Sequence, residues 1–140
     1  MWCNTTYSAL LANTGAVSNW GAARGAAVSN GAMIDVRDAV MVQCVRGVRA
    51  VYFSLVYGYR TIVVRGTTYG YEAVGGSSHL YLSVATARQC GTGYIAQLMS
   101  SIMADGTNAN NNGNGTDYNP APGAFPGSAQ GNHYAVIYAS

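Results

Sequence analysis

Apolar and polar residues alternate along the middle of the chain with the period of two that is typical of β-strands. The clearest case is residues 79–84, where Leu80, Leu82 and Val84 share one predicted face and Tyr81 lies on the other. Further strands are predicted at 34–44, 48–57, 60–65 and 67–74, and a last one at 133–138. Glycines separate the central runs at intervals of roughly 8–11 residues, which favours an antiparallel meander.

A different period follows the central strands. The apolar residues there recur at i, i+3, i+4, i+7 and i+8, which predicts an amphipathic helix packed on the sheet. They are Ile95, Leu98, Met99, Ile102 and Met103. A shorter helix carrying Tyr7, Leu10 and Leu11 is expected near the N-terminus, capped by Asn4 or Thr5.

These elements predict one α+β domain over 1–140, with a mainly antiparallel sheet of five or six strands and one packed helix. Its expected parts are an N-terminal helix and irregular segment (1–32), sheet plus helix (33–105), a low-complexity arm (106–132) and a final strand (133–140). No internal repeat of useful length is evident. The long arm is rich in Asn, Gly and Pro, and we expect contacts with other copies, through Tyr118 and Phe125, to order it.

Composition changes this picture in one respect, which is the scarcity of charge. Apolar residues make up 49% of the chain and charged residues only 9%, with a net charge of +2 and no lysine. An ordinary soluble domain has about 25% charged residues. Charge-driven disorder is therefore excluded, and the weakly charged surface favours contact between copies. The leading hypothesis is a self-assembling structural subunit of a virion or extracellular appendage, such as a coat, decoration or fibre protein.

Targeting, membrane and cofactor signals are not evident. Polar residues interrupt residues 1–23, so we identify no signal peptide, and no stretch reads as membrane-spanning. The localisation expected is a virion or an extracellular assembly. The three cysteines are far apart and only two histidines occur, so no metal site or cofactor is predicted.

One catalytic alternative rests on Cys90 and His133. The segment RQCGTGYIAQLM places Cys90 at the start of the predicted helix, where a helix dipole favours thiolate, and GNHYAVIY places His133 at the start of a strand. This arrangement resembles the NlpC/P60 and CHAP families of papain-like peptidoglycan hydrolases, and the resemblance covers residues 89–140. It implies a thiol hydrolase with Cys90 as nucleophile and His133 as base. A buried structural cysteine is the competing interpretation, and Cys3 with His79 forms a similar pair.

Two binding alternatives remain open. Residues 44–71 carry four arginines and no acid, interleaved with tyrosines, which is a pattern that can bind nucleic acid. The arginines are Arg46, Arg49, Arg60 and Arg65. Arginines that merely protect strand ends would look the same. Abundant Tyr and Asn, together with Trp20, also fit an adhesin tip that binds a surface glycan.

Overall fold

The protein winds into a β-solenoid with three faces. The structure, a computed structural model, describes residues 24–106, 113–119 and 135–139, together with the backbone of strands at 2–3, 9–11 and 18–20. Each of the first four turns contributes one short strand to each face. Four complete turns of three strands are followed by four further strands.

The strands are as follows. The first turn contains β1 (Trp2–Cys3), β2 (Ala9–Leu11) and β3 (Ser18–Trp20). The second contains β4 (Arg24–Ser29), β5 (Met33–Asp35) and β6 (Val40–Val42). The third contains β7 (Arg46–Val51), β8 (Leu55–Tyr59) and β9 (Ile62–Val64). The fourth contains β10 (Tyr69–Val74), β11 (His79–Ser83) and β12 (Thr86–Arg88). Then come β13 (Thr92–Gln97), β14 (Ser101–Asp105), β15 (Thr116–Asn119) and β16 (Val136–Ala139).

Every strand pairs in parallel with its counterpart one turn away. Sheet A has the order β1-β4-β7-β10-β13-β15, sheet B the order β2-β5-β8-β11-β14-β16, and sheet C the order β3-β6-β9-β12. Ala27 pairs with Arg49, Arg49 with Glu72, and Glu72 with Ile95, so successive turns differ by 22, 23 and 23 residues. This spacing is the period of a repeat protein whose units contact only their neighbours.

The volume of the interior stays nearly constant from turn to turn, because interior side chains become larger along sheet A as they become smaller along sheet C. The interior position of sheet A holds Ala26, then Val48, then Tyr71 in successive turns, while that of sheet C holds Met41, Val63 and Ala87. A small residue on one sheet therefore faces a large one on the other, as close packing requires. Ile34, Val56, Leu80, Ile102 and Ile137 form the buried row of sheet B.

A row of glycines makes room for the sheet C side chains. A Cβ on Gly25 would lie 2.8 Å from Met41 Cγ, one on Gly47 2.4 Å from Val63 Cγ1, and one on Gly70 3.0 Å from Ala87 Cβ. Each would also lie 2.6 Å from a backbone oxygen of the next turn. Sheet A can approach sheet C this closely only because these positions lack side chains.

The chain turns each corner through residues with positive φ. They are Asn30, Tyr52, Phe53, Leu98 and Met99 between sheets A and B, Asp38, Arg60 and Val84 between B and C, and Gln43, Arg65 and Gln89 between C and A, besides glycines and Ser77. Positive φ is unfavourable for most side chains, so each corner costs free energy that strand pairing offsets.

The expected α+β fold with an antiparallel sheet is therefore wrong. The described residues contain no helix, and all of their sheets are parallel. The glycine spacing was the source of the error, because consecutive strands occupy different sheets instead of pairing as a hairpin. Gly47 and Gly58 lie inside β7 and β8, whereas Gly75 and Gly76 form a corner. The absence of a repeat is also corrected: RGAAVS, RGVRAV, YGYEAV and TGYIAQ occupy equivalent positions in β4, β7, β10 and β13.

The predicted helix at 95–103 is a strand, a corner and a second strand. Leu98 and Met99 are corner residues with positive φ, and they separate β13 from β14. Ile102 is buried while Met103 is 38% exposed, which is the alternation of a strand. A corner of three residues, 98–100, between two strands thus gives the apolar residues the spacing expected of a helix. The N-terminal helix is likewise overturned, since Ala9–Leu11 is a strand.

Several strand predictions are confirmed in part. Leu80 and Leu82 are buried and Tyr81 is exposed, as the alternation predicts, but Val84 is an exposed corner residue. The strands predicted at 34–44 and 48–57 are each divided by a corner, at Asp38 and at Tyr52–Phe53. The final strand is present as β16, and β15 lies within the predicted arm, of which residues 107–112 and 120–132 are outside the described residues.

We expect Gly47→Ala to lower the free energy of unfolding by about 1–3 kcal/mol or more, because its Cβ meets Val63 and the backbone of Gly70. Gly58→Ala is the control, since its Cβ meets only side-chain atoms of Leu82 and Thr61, at 2.8 Å and 3.1 Å. Urea unfolding followed by circular dichroism measures both. An equal or smaller loss for Gly47→Ala than for Gly58→Ala would contradict the glycine row.

Candidate functional site

The outer face of sheet B carries six of the twelve large apolar side chains that are exposed among the described residues: Met33, Tyr57, Tyr59, Tyr81, Met103 and Tyr138. Parallel register aligns its outward side chains into rows that run along the solenoid axis. One row contains Asp35, Tyr57, Tyr81, Met103 and Tyr138. The four large side chains of this row are each 38–51% exposed. Exposed apolar patches of this kind mark interaction sites.

A groove lies between this row and the next one, which contains Tyr59, Ser83 and Asp105. The cavity has a volume of about 310 Å³, and Gly58 and Leu82 form part of its lining. The rings of Tyr57 and Tyr81 stack on each other with centroids 5.5 Å apart and planes 20° apart. We call this cavity the tyrosine groove, lined by Asp35, Arg37, Tyr57, Gly58, Tyr59, Tyr81, Leu82, Ser83, Met103 and Asp105.

The charges in the tyrosine groove are few and partly balanced. Arg37 Nη2 lies 2.6 Å from Asp35 Oδ2, and the Arg37 backbone N–H donates to Asp35 Oδ1 at 3.0 Å. Asp105 is the remaining charge in the lining. The lining of the groove thus carries two carboxylates and one guanidinium.

A second exposed feature lies at the corner between sheets A and B. Tyr52 and Phe53 are 57% and 69% exposed, and Leu98 and Met99, two turns later, are 45% and 58% exposed. All four have positive φ, which is rare for bulky residues and costs about 1–3 kcal/mol each. We call these four residues the corner ridge.

The turn between the two pairs has glycine at the same corner. A Cβ on Gly75 would lie 3.0 Å from Tyr52 Cε1, and one on Gly76 3.0 Å from Phe53 Cε2 and Cζ, so the aromatic rings lie over the glycines. Asn30 and Gly31, which tolerate positive φ well, occupy the corner in the preceding turn. The corner conformation therefore does not require large apolar side chains.

Buried serines fix the backbone under the corner ridge. Ser54, Ser78 and Ser100 follow the corner in successive turns and are at most 2% exposed. Their hydroxyls donate to backbone oxygens, such as Val51 O at 2.7 Å, Gly75 O at 2.8 Å and Ala73 O at 2.7 Å. Side-chain hydrogen bonds therefore hold the backbone next to the corner ridge in place. Sequence reasoning missed this row, although a serine immediately before β8, β11 and β14 was a readable signal.

The four arginines proposed for nucleic-acid binding do not form one patch. Arg46 and Arg49 lie on the outer face of sheet A, where their Nε atoms are 3.0 Å and 2.6 Å from Oε2 of the buried Glu72. These contacts are held by charge, because none of the three atoms has an aligned hydrogen bond. Arg46 also lies over the ring of Tyr69 at 5.6 Å. Glu72 directly follows residues 44–71, the stretch without acidic residues, and its carboxylate lies beside two of the arginines of that stretch.

Arg60 and Arg65 lie at two other corners. Arg60 Nε donates to Asp38 Oδ1 at 2.6 Å, and its guanidinium lies 4.8 Å from the centroid of the Tyr59 ring. Arg65 Nε donates to Gln89 Oε1 at 3.1 Å. The structure thus distributes the four cations over three places, and nucleic-acid binding stays an untested prediction.

Cys90 lies in the core, at a corner and not at a helix start. It is 3% exposed, its Sγ lies 3.4 Å from Arg88 O, and burial raises the pKa of its thiol. The helix dipole expected to activate it is absent, whereas His133 and Phe125 lie outside the described residues. For the other pair, the Cys3 side chain is not described, and His79 Nδ1 lies 2.7 Å from Ser101 Oγ.

Tyr118, predicted to act in assembly, extends a stack of core aromatic rings. Its ring is 5.2 Å from that of Tyr94, which in turn is 4.9 Å from Tyr71. Tyr118 is half-buried against the core, so part of its surface is already covered within the chain.

No cluster of metal-ligating side chains occurs among the described residues. Within that same part of the chain, no helix has the length and apolarity needed to cross a membrane. Comparison with family models, curated proteins and solved structures finds no match. The exposed surfaces described above are therefore the features of the molecule that bear on function.

The Glu72 cluster generates a prediction about pH. Burial raises the pKa of Glu72 above its ordinary 4.5, despite the nearby Arg49 and Arg46. The folded state then binds more protons than the unfolded state, so stability should fall as pH rises from 4.5 through the raised pKa. Unfolding free energy measured against pH tests this, and Glu72→Gln should remove the fall.

Asp38→Asn is the control for this experiment. Arg60 lowers the pKa of Asp38 below its ordinary 3.8, so the stability that Asp38 contributes is present above pH 3.8 and is lost as pH falls through the lowered pKa. Asp38→Asn should therefore change the profile only on the acid side. A Glu72→Gln profile with the wild-type slope above pH 4.5 would contradict the assignment.

Proposed function

We propose that this chain is a self-associating structural subunit of the coat, decoration or fibre type, belonging to a virion or an extracellular appendage. The observation that carries the proposal is the corner ridge. Four large apolar side chains are held in an unfavourable backbone conformation and exposed to solvent, where they give the isolated chain little stability. Contact with another molecule offsets that cost.

The partner that fits best is a second copy of the same chain. The ridge pairs and the glycine corner between them carry no charged residue, so two ridges can meet without desolvating a charge. The whole chain has a net charge of only +2 and therefore resists self-association weakly. The chain has eleven Tyr, and its seven Lys or Arg positions are all Arg, so the types that interfaces favour are present and Lys, which interfaces disfavour, is absent.

The solenoid architecture suits this role mechanically. Its parallel ladders connect each turn to the next along one axis, so the ridge residues of different turns keep a fixed spacing. Strand neighbours are about 4.8 Å apart, which places the two exposed pairs about 10 Å from each other along that axis. A rigid, repetitive edge of this kind can align copies side by side.

The test replaces Phe53 and Met99 together by asparagine, which tolerates positive φ. We expect the monomer to be as stable as the wild type or more stable, while self-association weakens by about 100-fold or more. Each large apolar side chain lost from the interface removes about 1.5–3 kcal/mol of association free energy. Sedimentation velocity over a concentration series measures association, and thermal unfolding of the dilute protein measures stability.

Val84→Asn is the matched control. Val84 is also apolar, 51% exposed and at positive φ, but it lies at the corner between sheets B and C. Its replacement should leave association unchanged. A wild-type protein that stays monomeric at millimolar concentration, or a double variant that associates as strongly as the wild type, would overturn the proposal.

A further inference from the structure

The outer face of sheet B holds two exposed tyrosine rings in contact. Tyr57 on β8 and Tyr81 on β11 are register partners, and their rings stack with centroids 5.5 Å apart and planes 20° apart. The two side chains are 41% and 39% exposed, so an oxidant in solution can reach both phenols. We infer that this pair is a site of oxidative cross-linking, at which a dityrosine bond joins β8 to β11. Neither residue belongs to the corner ridge, so the site is separate from the proposed interface.

The cross-link requires a one-electron oxidant, and the class that fits is a haem peroxidase supplied with hydrogen peroxide. Each phenol gives up one electron and its hydroxyl proton, which leaves a radical shared between the oxygen and the two ring carbons beside it. The two radicals form one bond between such Cε atoms, and the hydrogen on each bonded carbon then moves through solvent to the phenol oxygen. One hydrogen peroxide accepts the two electrons and two protons and becomes two water molecules.

The parallel register favours coupling within one chain. Asp35 lies beside Tyr57 on the preceding strand, and Met103 separates Tyr81 from Tyr138, so each ring of the pair has the other as its tyrosine neighbour in the row. The two rings are tethered to one rigid ladder, and tethered groups act at effective concentrations in the millimolar range. In dilute protein, coupling between chains is therefore slower than coupling within one chain.

The core contains a closer tyrosine stack that serves as an internal comparison. The ring centroids of Tyr71 and Tyr94 are 4.9 Å apart, but both side chains are fully buried. The Tyr71 hydroxyl donates to Thr61 O at 2.7 Å, and burial raises the pKa of Tyr71 well above its ordinary 10.0. The Tyr94 hydroxyl donates to Ala85 O at 3.0 Å. Because a phenol must release its proton to become a radical, burial protects this pair, and we expect it to stay uncoupled.

The cross-link acts as a staple between the third and fourth turns of the solenoid. Each turn of such a protein contacts only its neighbours, so separation of two turns interrupts the whole stack. A bond between Tyr57 and Tyr81 closes a loop over residues 57–81 and restricts the unfolded chain, as a disulfide does. We therefore expect cross-linking to raise the midpoint of urea unfolding.

The experiment treats dilute folded protein with a haem peroxidase and limiting hydrogen peroxide, and then examines tryptic peptides 50–60 and 66–88 by tandem mass spectrometry. We expect these two peptides to be joined with the loss of two hydrogen atoms, in a yield per chain that does not depend on protein concentration. Tyr57→Phe and Tyr81→Phe should each lower that yield by at least about tenfold. Treatment should raise the urea midpoint of the wild type but not that of Tyr81→Phe.

Tyr59→Phe is the matched control, since Tyr59 lies in the same tryptic peptide as Tyr57 and is 42% exposed. Its register partner is Ser83, and the guanidinium of Arg60 lies over its ring. This variant should cross-link like the wild type.

Circular dichroism checks that each variant is folded, and Tyr57→Phe serves for both comparisons if Tyr81→Phe does not fold. Absence of the joined peptides, or their formation in undiminished yield in a folded Phe variant of the stacked pair, would overturn the inference. So would their loss in folded Tyr59→Phe, or a treatment that raises the wild-type midpoint no more than that of the Phe variant.

Discussion

In-register pairing of each turn with the next is the interaction on which the rest of this structure depends. A strand one turn later must present its backbone at the same place, so every turn has to reproduce the same path and enclose the same volume. This requirement explains why small Ala26 faces large Met41 in one turn while large Tyr71 faces small Ala87 two turns later. It also explains the glycines opposite the sheet C side chains. The positive φ values at the corners are another consequence.

The same constraint produces both candidate surfaces. Register aligns equivalent side chains into rows, so substitutions in two turns are enough to make a stack such as Tyr57–Tyr81 or a repeated exposed pair such as Phe53 and Met99. Because the backbone of a solenoid is fixed by its own hydrogen bonds, its outward positions are free to carry function. The ridge lies at the corner that precedes the sheet B strands, whereas the groove lies toward the C-terminal ends of those strands.

The sequence predicts burial better than it predicts topology. Alternation identified Leu80 and Leu82 as buried and Tyr81 as exposed, because a strand has the same period in parallel and antiparallel sheets. The direction of pairing depends on where the chain turns, and here Gln43, Arg65 and Leu98 occupy corners without the residue types that announce a turn. The repeated glycine of RGAAVS, RGVRAV, YGYEAV and TGYIAQ was the readable sign of a period near 23 residues.

The candidate sites were even less predictable. Counting charges along residues 44–71 suggested a basic surface, but the fold separates Arg60 and Arg65 from Arg46 and places Glu72 against the remaining pair. Tyr57 and Tyr81 are 24 residues apart in sequence and adjacent in space only through the parallel register. No local motif carries that information.

Disulfide scanning across β8 and β11 tests the parallel register most directly. All the positions involved are on the outer face, and neighbouring Cα atoms about 4.8 Å apart can be bridged by a disulfide. Paired cysteines are introduced at 55 and 79, 59 and 83, 55 and 83, or 59 and 79, and tryptic peptides 50–60 and 66–88 are then examined by mass spectrometry. The solenoid predicts bridges for 55–79 and 59–83, which are register partners. Bridges for 55–83 and 59–79 instead would show antiparallel strands and contradict the account.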